Sequence, residues 1–152
     1  MRSSVWLRHD ASLRHDIPGH PERPARIRAL EGEMSAHGWF GCSRVEAPAA
    51  SREQLLAVHS PEHVDFIEAL CARGGGFIDA DTAAVEATWE AALRAAGGAV
   101  ALVDALLGGE AAVGVSGLRP PGHHAEPGRA MGFCFFGNAA VAARHAVSAH
   151  GV

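Results

Sequence analysis

Tyrosine is absent from this 152-residue sequence, and cysteine and aromatic residues are scarce, with three cysteines and an aromatic share of 6%. Cys42, Cys71 and Cys134 are odd in number and have no Cys-x-x-Cys spacing, so they predict neither a disulfide framework nor a cysteine zinc site. This use of cysteine fits a reducing compartment, and we expect a cytoplasmic protein.

Long apolar runs and an excess of basic charge are also missing. No segment approaches the ~18 consecutive apolar residues that a membrane span requires. Near the N-terminus the apolar segment covers only residues 5–7, which is too short for the apolar region of a signal peptide. The net charge of −4 lacks the basic excess of a nucleic-acid-binding protein. We therefore expect neither a membrane span nor direct binding to nucleic acid.

The composition that remains is typical of a soluble globular protein, with 48% apolar and 20% charged residues. A chain of this length can form one domain that buries roughly 70% of the surface of the unfolded chain. Residues 4–8 predict a short buried strand, and a long loop follows to Pro24. Ile27, Leu30 and Met34 then recur at helical spacing, which predicts a helix ending near Gly38.

Two further helices carry recognisable start signals. Ser51 and Gln54 have the spacing of a capping box. Ser60 is a predicted N-cap, with Pro61 in the first turn and Gly74 as the helix stop. The following Gly75-Gly76 is interpreted as linker.

The longest helix is predicted over residues 83–109. Its apolar stripe consists of Trp89, Ala92, Leu93, Ala96, Val100, Val103 and Leu107. Gly97-Gly98 within the helix is unfavourable by propensity, and this predicts a close helix contact.

A strand–loop–helix unit closes the sequence. The apolar, glycine-bounded run at residues 111–117 predicts a central parallel strand. A helix is predicted to begin at Asn138 as its cap and to stop at Gly151. In α/β sheets the working groups gather in loops beyond the carboxyl ends of the strands. Here that loop contains His123 and His124.

Adjacent histidines in a stiff Pro-Pro-Gly loop can be two bases, two metal ligands, or one base with an orienting partner. They can equally be ordinary polar surface. The surrounding motifs favour a functional role for the two histidines. The loop contains RPPGHHA followed by GFCFFGN. Four further motifs precede it in the chain, in the order GHPERPARIRAL, VHSPEHVDFI, IDADT and WEAALRAAGGAV. This series resembles the zinc-dependent deacetylases, namely histone deacetylases (especially class II and bacterial members) and acetylpolyamine amidohydrolases. The resemblance implies a three-layer α/β arginase–deacetylase fold with a parallel sheet.

The resemblance also implies roles for five residues. His124 corresponds to the general base that takes a proton from zinc-bound water, and His123 to its electrostatic or proton-donating partner. Gly132 corresponds to a carbonyl that meets the substrate amide N–H, and Phe133 to one wall of the acyl-lysine tunnel. Arg26 corresponds to an arginine of the internal channel through which acetate leaves. Four further side chains are expected near the tunnel rim: His9, Asp10, His15 and His20.

The sequence departs from the family pattern in three ways. The family's zinc ligands, two aspartates and a histidine, come from later strands and have no matching segment here. The transition-state tyrosine has no counterpart, since the chain has no tyrosine. Gly137-Asn138 stands where the family usually has two asparagines, which weakens support of the loop. We expect residues 1–152 to be the N-terminal part of a single domain, cut before the metal segment, with Val152 opening the next strand.

These observations predict a zinc-dependent hydrolase that removes an acyl group from an amine such as acetyl-lysine or an acetylpolyamine. The chain alone is expected to be inactive, because it contains no zinc ligands for the site. An alternative is a non-catalytic or split-chain fragment that binds its missing half or another partner, and an unfinished sheet edge also favours homo-oligomers or aggregation. A third hypothesis is a metal-independent amidase with Cys134 as nucleophile and His124 as base. Cys134 is more easily interpreted as a packed residue, and His59 and His63 as surface or core residues rather than metal ligands.

Overall fold

A computed structural model describes residues 3–152. Within these residues, five strands and six α-helices follow one another. The strands are β1 (Ser3–Arg8), β2 (Ser43–Glu46), β3 (Gly75–Phe77), β4 (Ala83–Val85) and β5 (Ala111–Ser116). The helices are α1 (Ala11–Arg14), α2 (Ala25–Ala36), α3 (Arg52–Leu56), α4 (Pro61–Ala72), α5 (Thr88–Leu107) and α6 (Asn138–His145). A 3₁₀ turn (Gly38–Gly41) follows α2, and a π-helical turn (Ala146–His150) continues α6.

The principal sheet is parallel, with the strand order β2-β1-β5. The predicted strand at residues 4–8 is the central strand. The predicted parallel strand at residues 111–117 is β5, which lies at an edge of the sheet among the described residues. A separate antiparallel pair joins β3 to β4. The N–H of Gly117 donates to the carbonyl of Leu7 at 2.9 Å, so the chain enters the histidine loop beside the carboxyl end of β1.

Helical segments cover both faces of the parallel sheet. On one face, the side chain of Leu102 in α5 lies against Gly114 of β5. On the other face, Trp39 of the 3₁₀ turn packs edge-on against Trp6, with ring centroids 6.0 Å apart. This arrangement is the predicted three-layer α/β architecture. Among residues 3–152, none of the helices combines the length and hydropathy of a membrane span.

The predicted start signals of α3 and α4 are confirmed. The Ser51 hydroxyl accepts the N–H of Gln54 at 3.2 Å, and the Gln54 side chain accepts the N–H of Ser51 at 2.8 Å, which completes the capping box. The Ser60 hydroxyl accepts the N–H of His63, and Pro61 is the first residue of α4. These signals act within one turn of chain, so local sequence is sufficient to predict them.

The helix predicted around Ile27, Leu30 and Met34 is confirmed as α2, whereas three other local predictions were wrong. Residues 83–85 form β4 instead of helix, and Gly75-Gly76 belongs to β3 instead of a linker. Each strand exists because it pairs with the other, which a local apolar pattern does not reveal. The long loop after β1 contains the short helix α1. In α2 only Ile27 is buried, whereas Leu30 is 51% exposed.

The close contact predicted at Gly97-Gly98 exists, although its partner is a loop and not a helix. A Cβ on Gly97 would lie 2.2 Å from the carbonyl oxygen of Pro48, and one on Gly98 would lie 2.3 Å from Cδ1 of Leu118. The loop after β2 and the segment after β5 therefore approach α5 more closely than any side chain at these positions allows.

The hydrophobic core connects the helices to the histidine loop. Ala92, Ala96 and Val100 of the predicted stripe are buried in the core, whereas Leu107 is 47% exposed. Phe135 and Phe136, which follow the loop, belong to the same cluster. The loop is thus anchored in the core at its carboxyl end.

The last helix differs from its prediction only at its start. Asn138 is the first helical residue and Gly137 occupies the cap position without a side-chain hydrogen bond. The Asn138 amide instead donates to the carbonyl of Pro120 at 3.4 Å and so ties the two ends of the loop together. Gly151 terminates the helical segment in the left-handed region with φ 70°, as predicted.

Candidate active site

The histidine pair lies in the loop between β5 and α6. Both residues are exposed, and their ring centroids are 4.2 Å apart. The main-chain N–H groups of His123 and His124 both donate to the sulfur of Cys134, at 3.4 and 3.5 Å. One side chain therefore holds the backbone of the pair while the imidazoles stay accessible.

Cys134 is a packed structural residue. It is fully buried, and its thiol donates to the carbonyl of Gly132 at 3.3 Å. A thiol that is enclosed and already contacts three backbone groups is poorly placed to attack a substrate. This geometry supports the interpretation of Cys134 as a core residue and argues against the cysteine-amidase hypothesis.

Gly132 turns the chain directly beside the His124 ring. Its φ of 57° lies in the left-handed region, and a Cβ at this position would lie 2.8 to 2.9 Å from three atoms of the His124 side chain. Glycine is therefore required twice, for the backbone conformation and for the space that His124 occupies.

Phe133 is held in an unusual backbone conformation, with φ 68°. Its N–H donates to the hydroxyl of the buried Thr82 at 3.2 Å. Its ring meets the ring of His20 edge-on, with centroids 4.7 Å apart, and Nε2 of His20 lies 2.8 Å from the carbonyl oxygen of Asp81. The aromatic wall is thus positioned by two segments that are distant in sequence.

A tight turn at IDADT supplies this support. The carboxylate of Asp79 accepts the N–H groups of Asp81 at 3.0 Å and Thr82 at 2.7 Å. These hydrogen bonds, that from Asp81 first, lower the pKa of Asp79. Thr82 in turn donates its hydroxyl proton to the Asp81 carboxylate at 3.1 Å.

The five predicted site residues come together around one cavity of about 420 Å³. His123, His124, Gly132, Phe133 and Arg26 all line it, together with Glu22, Asp81 and Pro121. Arg26 also lines an adjacent cavity of about 170 Å³ that extends towards Ile27 and Leu118. Of the expected rim residues, only His20 is near this cavity wall. His9 accepts the N–H of Ala11, and Asp10 pairs with Arg8.

Beneath the loop, Arg119 forms a fully buried ion pair with Glu22. Its guanidinium donates to both carboxylate oxygens, at 2.5 and 2.6 Å, and the two side chains are 3% and 2% exposed. The same guanidinium donates to the carbonyls of Ser12, His15 and Glu22. This network fixes the start of the histidine loop to the loop that follows α1.

His15 belongs to this buried network and not to the rim, which corrects the prediction. Nδ1 of His15 lies 2.8 Å from the Thr88 hydroxyl, and that hydroxyl accepts the N–H of Val85. Burial, reinforced by the charge of Arg119, lowers the pKa of His15 to about 3. The imidazole is therefore neutral at physiological pH.

His59 and His63 support the carboxyl half of the loop. Nε2 of His59 accepts the N–H of Gly137 at 2.9 Å, and its Nδ1 lies 3.1 Å from the carbonyl of Glu126. Nε2 of His63 lies 2.8 Å from the carbonyl of Phe135. Burial lowers the pKa of both histidines. The predicted core role is confirmed, and His59 supports the backbone at Gly137.

Sequence reasoning missed Glu22, Thr82 and Arg119 as site-building residues. Glu22 and Arg119 lie in the motifs GHPERPARIRAL and RPPGHHA, where a charged side chain among prolines is a sign of a special role. Their pairing could not be predicted, because 97 positions separate the two residues.

The residues of this cavity do not form a ligand set for the zinc that the resemblance implies. Among residues 3–152, the one group of three side chains whose ligand atoms converge is Asp104, His145 and His150. These residues lie on α5 and at the end of α6, and none of them lines the cavity described here.

Comparison with known proteins identifies the family. The histone deacetylase domain matches residues 20–152. The histone deacetylase-like amidohydrolase of Pseudomonas aeruginosa is 42% identical over 135 residues, which cover 88% of this chain and 36% of the relative. The human polyamine deacetylase HDAC10 is 38% identical over 138 residues, which cover 86% of this chain and 21% of that protein.

A solved structure agrees with these relatives. The crystal structure of the HDA15 HD domain matches with a TM-score of 0.93 and 35% identity, covering 98% of this chain and 44% of that one. The fold is thus an N-terminal part of the arginase–deacetylase fold. The chain spans 36% and 38% of the lengths of its Pseudomonas and Archaeoglobus fulgidus relatives. With 133 consecutive residues matched to its domain, the chain belongs to the histone deacetylase family.

Proposed function

We propose that this chain carries the general-base and substrate-channel portion of a zinc-dependent amidohydrolase that removes an acyl group from an acylated amine. The observation that carries the proposal is the single cavity lined by His123, His124, Gly132, Phe133 and Arg26. A channel with aromatic and backbone polar walls suits a linear acylated side chain, as in acetyl-lysine or an acetylpolyamine. The polyamine specificity in the human relative's name adds weight to the second substrate class.

The proposed chemistry assigns His124 as general base and His123 as its electrostatic partner. Their backbone N–H groups are held by Cys134, whereas within residues 3–152 their imidazole nitrogens make no hydrogen bond to the protein. Such a nitrogen is free to accept a proton from a nucleophilic water. The Gly132 carbonyl would receive the substrate amide N–H, and the Phe133 ring would flank the alkyl chain.

Zinc, when bound, would supply a water of lowered pKa and a polarised acyl carbonyl. Since the described residues around the cavity give no ligand set, we propose that the ligands come from outside residues 1–152, in a domain of which this chain is the N-terminal part. The chain alone, with Zn²⁺ added, is then expected to show no hydrolysis of an acetyl-lysine peptide above the uncatalysed rate. We place this hydrolase in the cytoplasm on its use of cysteine.

Binding to the cavity is the direct test of the proposal. An acetyl-lysine peptide is titrated to millimolar concentration into ¹⁵N-labelled protein, with the same peptide unacetylated as control. We expect shifts of the amide signals of His124, Gly132 and Phe133 with the acetylated peptide only, weakened in Phe133→Ala. The variant Phe77→Ala, at an exposed strand residue that does not line the cavity, is the matched control. Equal shifts with both peptides, or none, would contradict the proposal.

A second candidate function is a split-chain fragment that pairs with the remainder of a deacetylase domain. The edge strand β5 favours it, because Val113 and Val115 are 55% and 41% exposed. The unpaired N–H and C=O groups of a strand edge are a template for association, and exposed apolar side chains beside them add surface to bury. Size-exclusion chromatography with light scattering tests this function, with Val113→Lys/Val115→Lys as the variant. A monomer that fails to co-purify with the carboxyl-terminal part of the Pseudomonas relative would contradict it.

A further inference from the structure

A second group of histidines lies at the far end of α6 from the active-site loop. Nε2 of His145 lies 2.7 Å from Oδ1 of Asp104, and Nε2 of His150 lies 2.8 Å from the same oxygen. The ligand atoms of all three side chains lie within 4.8 Å of one another. The active-site motif does not include these residues, and the proposed hydrolysis does not use them.

The backbone of this segment brings the two imidazoles together. His145 and His150 are five residues apart, and in an α-helix such residues point about 140° away from each other around the axis. The chain from Ala146 to His150 instead forms a π-helical turn, whose wider i→i+5 hydrogen bonding brings residue i+5 closer to the side of the helix that carries residue i. The ring centroids consequently approach to 5.7 Å on one side of the helix, which faces α5.

We propose that Asp104, His145 and His150 form a binding site for a divalent first-row transition-metal ion such as Zn²⁺. Two imidazole nitrogens and one carboxylate oxygen are a ligand set that such ions accept at about 2.0–2.2 Å. The Nε2 atoms already point at the carboxylate, so a cation bound in place of the two Nε2 protons, with each neutral imidazole protonated on Nδ1, requires only small side-chain movements. The side chains of His145, His150 and Asp104 are 19%, 26% and 53% exposed, which leaves the remaining coordination position to water.

The bound ion would act as a structural link. Asp104 lies in the last turn of α5, whereas the two histidines end α6, so the ion joins the carboxyl ends of two helices. His145 is seven residues from the start of α6, which corresponds to about 10 Å along the helix axis. The site is therefore separate from the cavity and does not rest on the proposed deacetylase function.

Metal binding is measured directly, on protein produced without a histidine tag. Zn²⁺ is titrated calorimetrically, and Co²⁺ is followed by its visible absorption. We expect saturation at one equivalent in wild type and a rise in melting temperature with Zn²⁺, since a ligand of the folded state stabilises it. His150→Gln and Asp104→Asn should each weaken binding at least about a hundredfold, beyond the loss seen on removing even an outer-sphere partner.

Two control variants make the result specific. His37→Gln removes an exposed histidine whose Nδ1 lies 3.3 Å from one Glu33 carboxylate oxygen but which lacks a third ligand, and it should leave the affinity unchanged. His124→Gln should likewise retain the site. Circular dichroism verifies that each variant is folded. Absence of saturable binding, or binding that is lost in His124→Gln and retained in His150→Gln, would overturn the proposal.

Discussion

Two histidine pairs belong to the same site in opposite ways, since His123 and His124 lie in the loop between β5 and α6, whereas His59 and His63 pack beneath it. His59 and His63 are buried, and their ring nitrogens contact backbone groups of residues 126–137. His123 and His124 are exposed, and the protein contacts them through their main-chain N–H groups. The first pair uses its imidazoles to shape the loop, whereas the second leaves them available to a ligand.

The difference shows that the surroundings of an imidazole, rather than its motif, determine its role. Burial lowers the pKa values of His59 and His63, and their ring nitrogens form fixed hydrogen bonds with the backbone of the loop. Among the described residues, the rings of the exposed pair form no hydrogen bond with the protein. Substitutions that disturb the two groups should therefore separate stability from binding.

The largest expected effect is at the buried ion pair beneath the loop. Arg119→Met leaves the Glu22 carboxylate buried without its main partner, and we expect the free energy of unfolding to fall by about 3–5 kcal/mol. Urea denaturation measures it. The exposed pair between Arg52 and Asp65, at 2.5 Å, provides the matched control, and Arg52→Ala should leave the midpoint nearly unchanged.

A double variant sharpens this prediction. Replacing both charges, in Glu22→Leu/Arg119→Met, removes the uncompensated carboxylate, so part of the lost stability should return. The double variant could instead lose as much stability again as Arg119→Met loses alone. That result would show that the hydrogen bonds of Glu22 to its other neighbours outweigh the ion pair.

Acid should destabilise the protein through its buried histidines. The pKa of His15 is about 3 in the folded protein and about 6.5 in the unfolded chain, so below about 6.5 the unfolded state binds the additional proton. Stability is then fully present above about 6.5 and falls by about 1.4 kcal/mol per pH unit for this residue as the pH decreases towards 3. His59 and His63 act in the same direction.

Denaturation midpoints between about pH 7.5 and 4.5 measure this slope, before most carboxylates titrate. In His15→Gln the free energy of unfolding should change less steeply with pH, because one fewer proton is taken up on unfolding. A wild-type stability that is constant over this range would show that His15 is charged in the folded protein, contrary to its burial.

Loss of a buried histidine should cost more stability than loss of an exposed one. His59→Ala leaves the N–H of Gly137 without a partner, and a buried group left unsatisfied costs about 1–3 kcal/mol. The matched change His123→Ala removes an exposed ring and should alter stability by no more than about 0.5 kcal/mol. Thermal and urea unfolding of both variants measure the two changes in the free energy of unfolding. Equal losses would mean that the exposed pair is as structural as the buried one.

Sequence reasoning was most successful where structure is encoded locally. The capping box at Ser51 and Gln54 depends on residues three positions apart, and it is confirmed. Strands β3 and β4 were missed because each is only three residues long and exists through its partner. Periodicity over residues 83–109 therefore assigned β4 to the following helix.

The same distinction applies to the candidate site. The motif from Arg119 onwards contains four of the five predicted site residues, and GHPERPARIRAL contains the fifth, Arg26. The structure places all five on one cavity. Their proposed roles remain predictions. The support of the loop was not predictable, since Ser12 and Glu22 contact Arg119 across 107 and 97 positions. A sequence pattern identifies which side chains are unusual, but only the fold shows which ones share a hydrogen bond.

At Gly132 the expected loss of stability is smaller than at the buried ion pair, whereas the effect on binding should be large. Gly132→Ala forces a side chain into the left-handed region, which costs about 1–2 kcal/mol. Its Cβ would also meet the His124 ring at 2.8 Å, so that ring must move from its place on the cavity wall. Gly128→Ala is the matched control, because a Cβ there meets no atom within 4 Å. We expect the acetyl-lysine peptide to lose its effect on the His124 signals in Gly132→Ala and to keep it in Gly128→Ala. A Gly132→Ala protein that binds like wild type would show that the exposed pair tolerates displacement, and that the cavity does not require the His124 ring in its observed position.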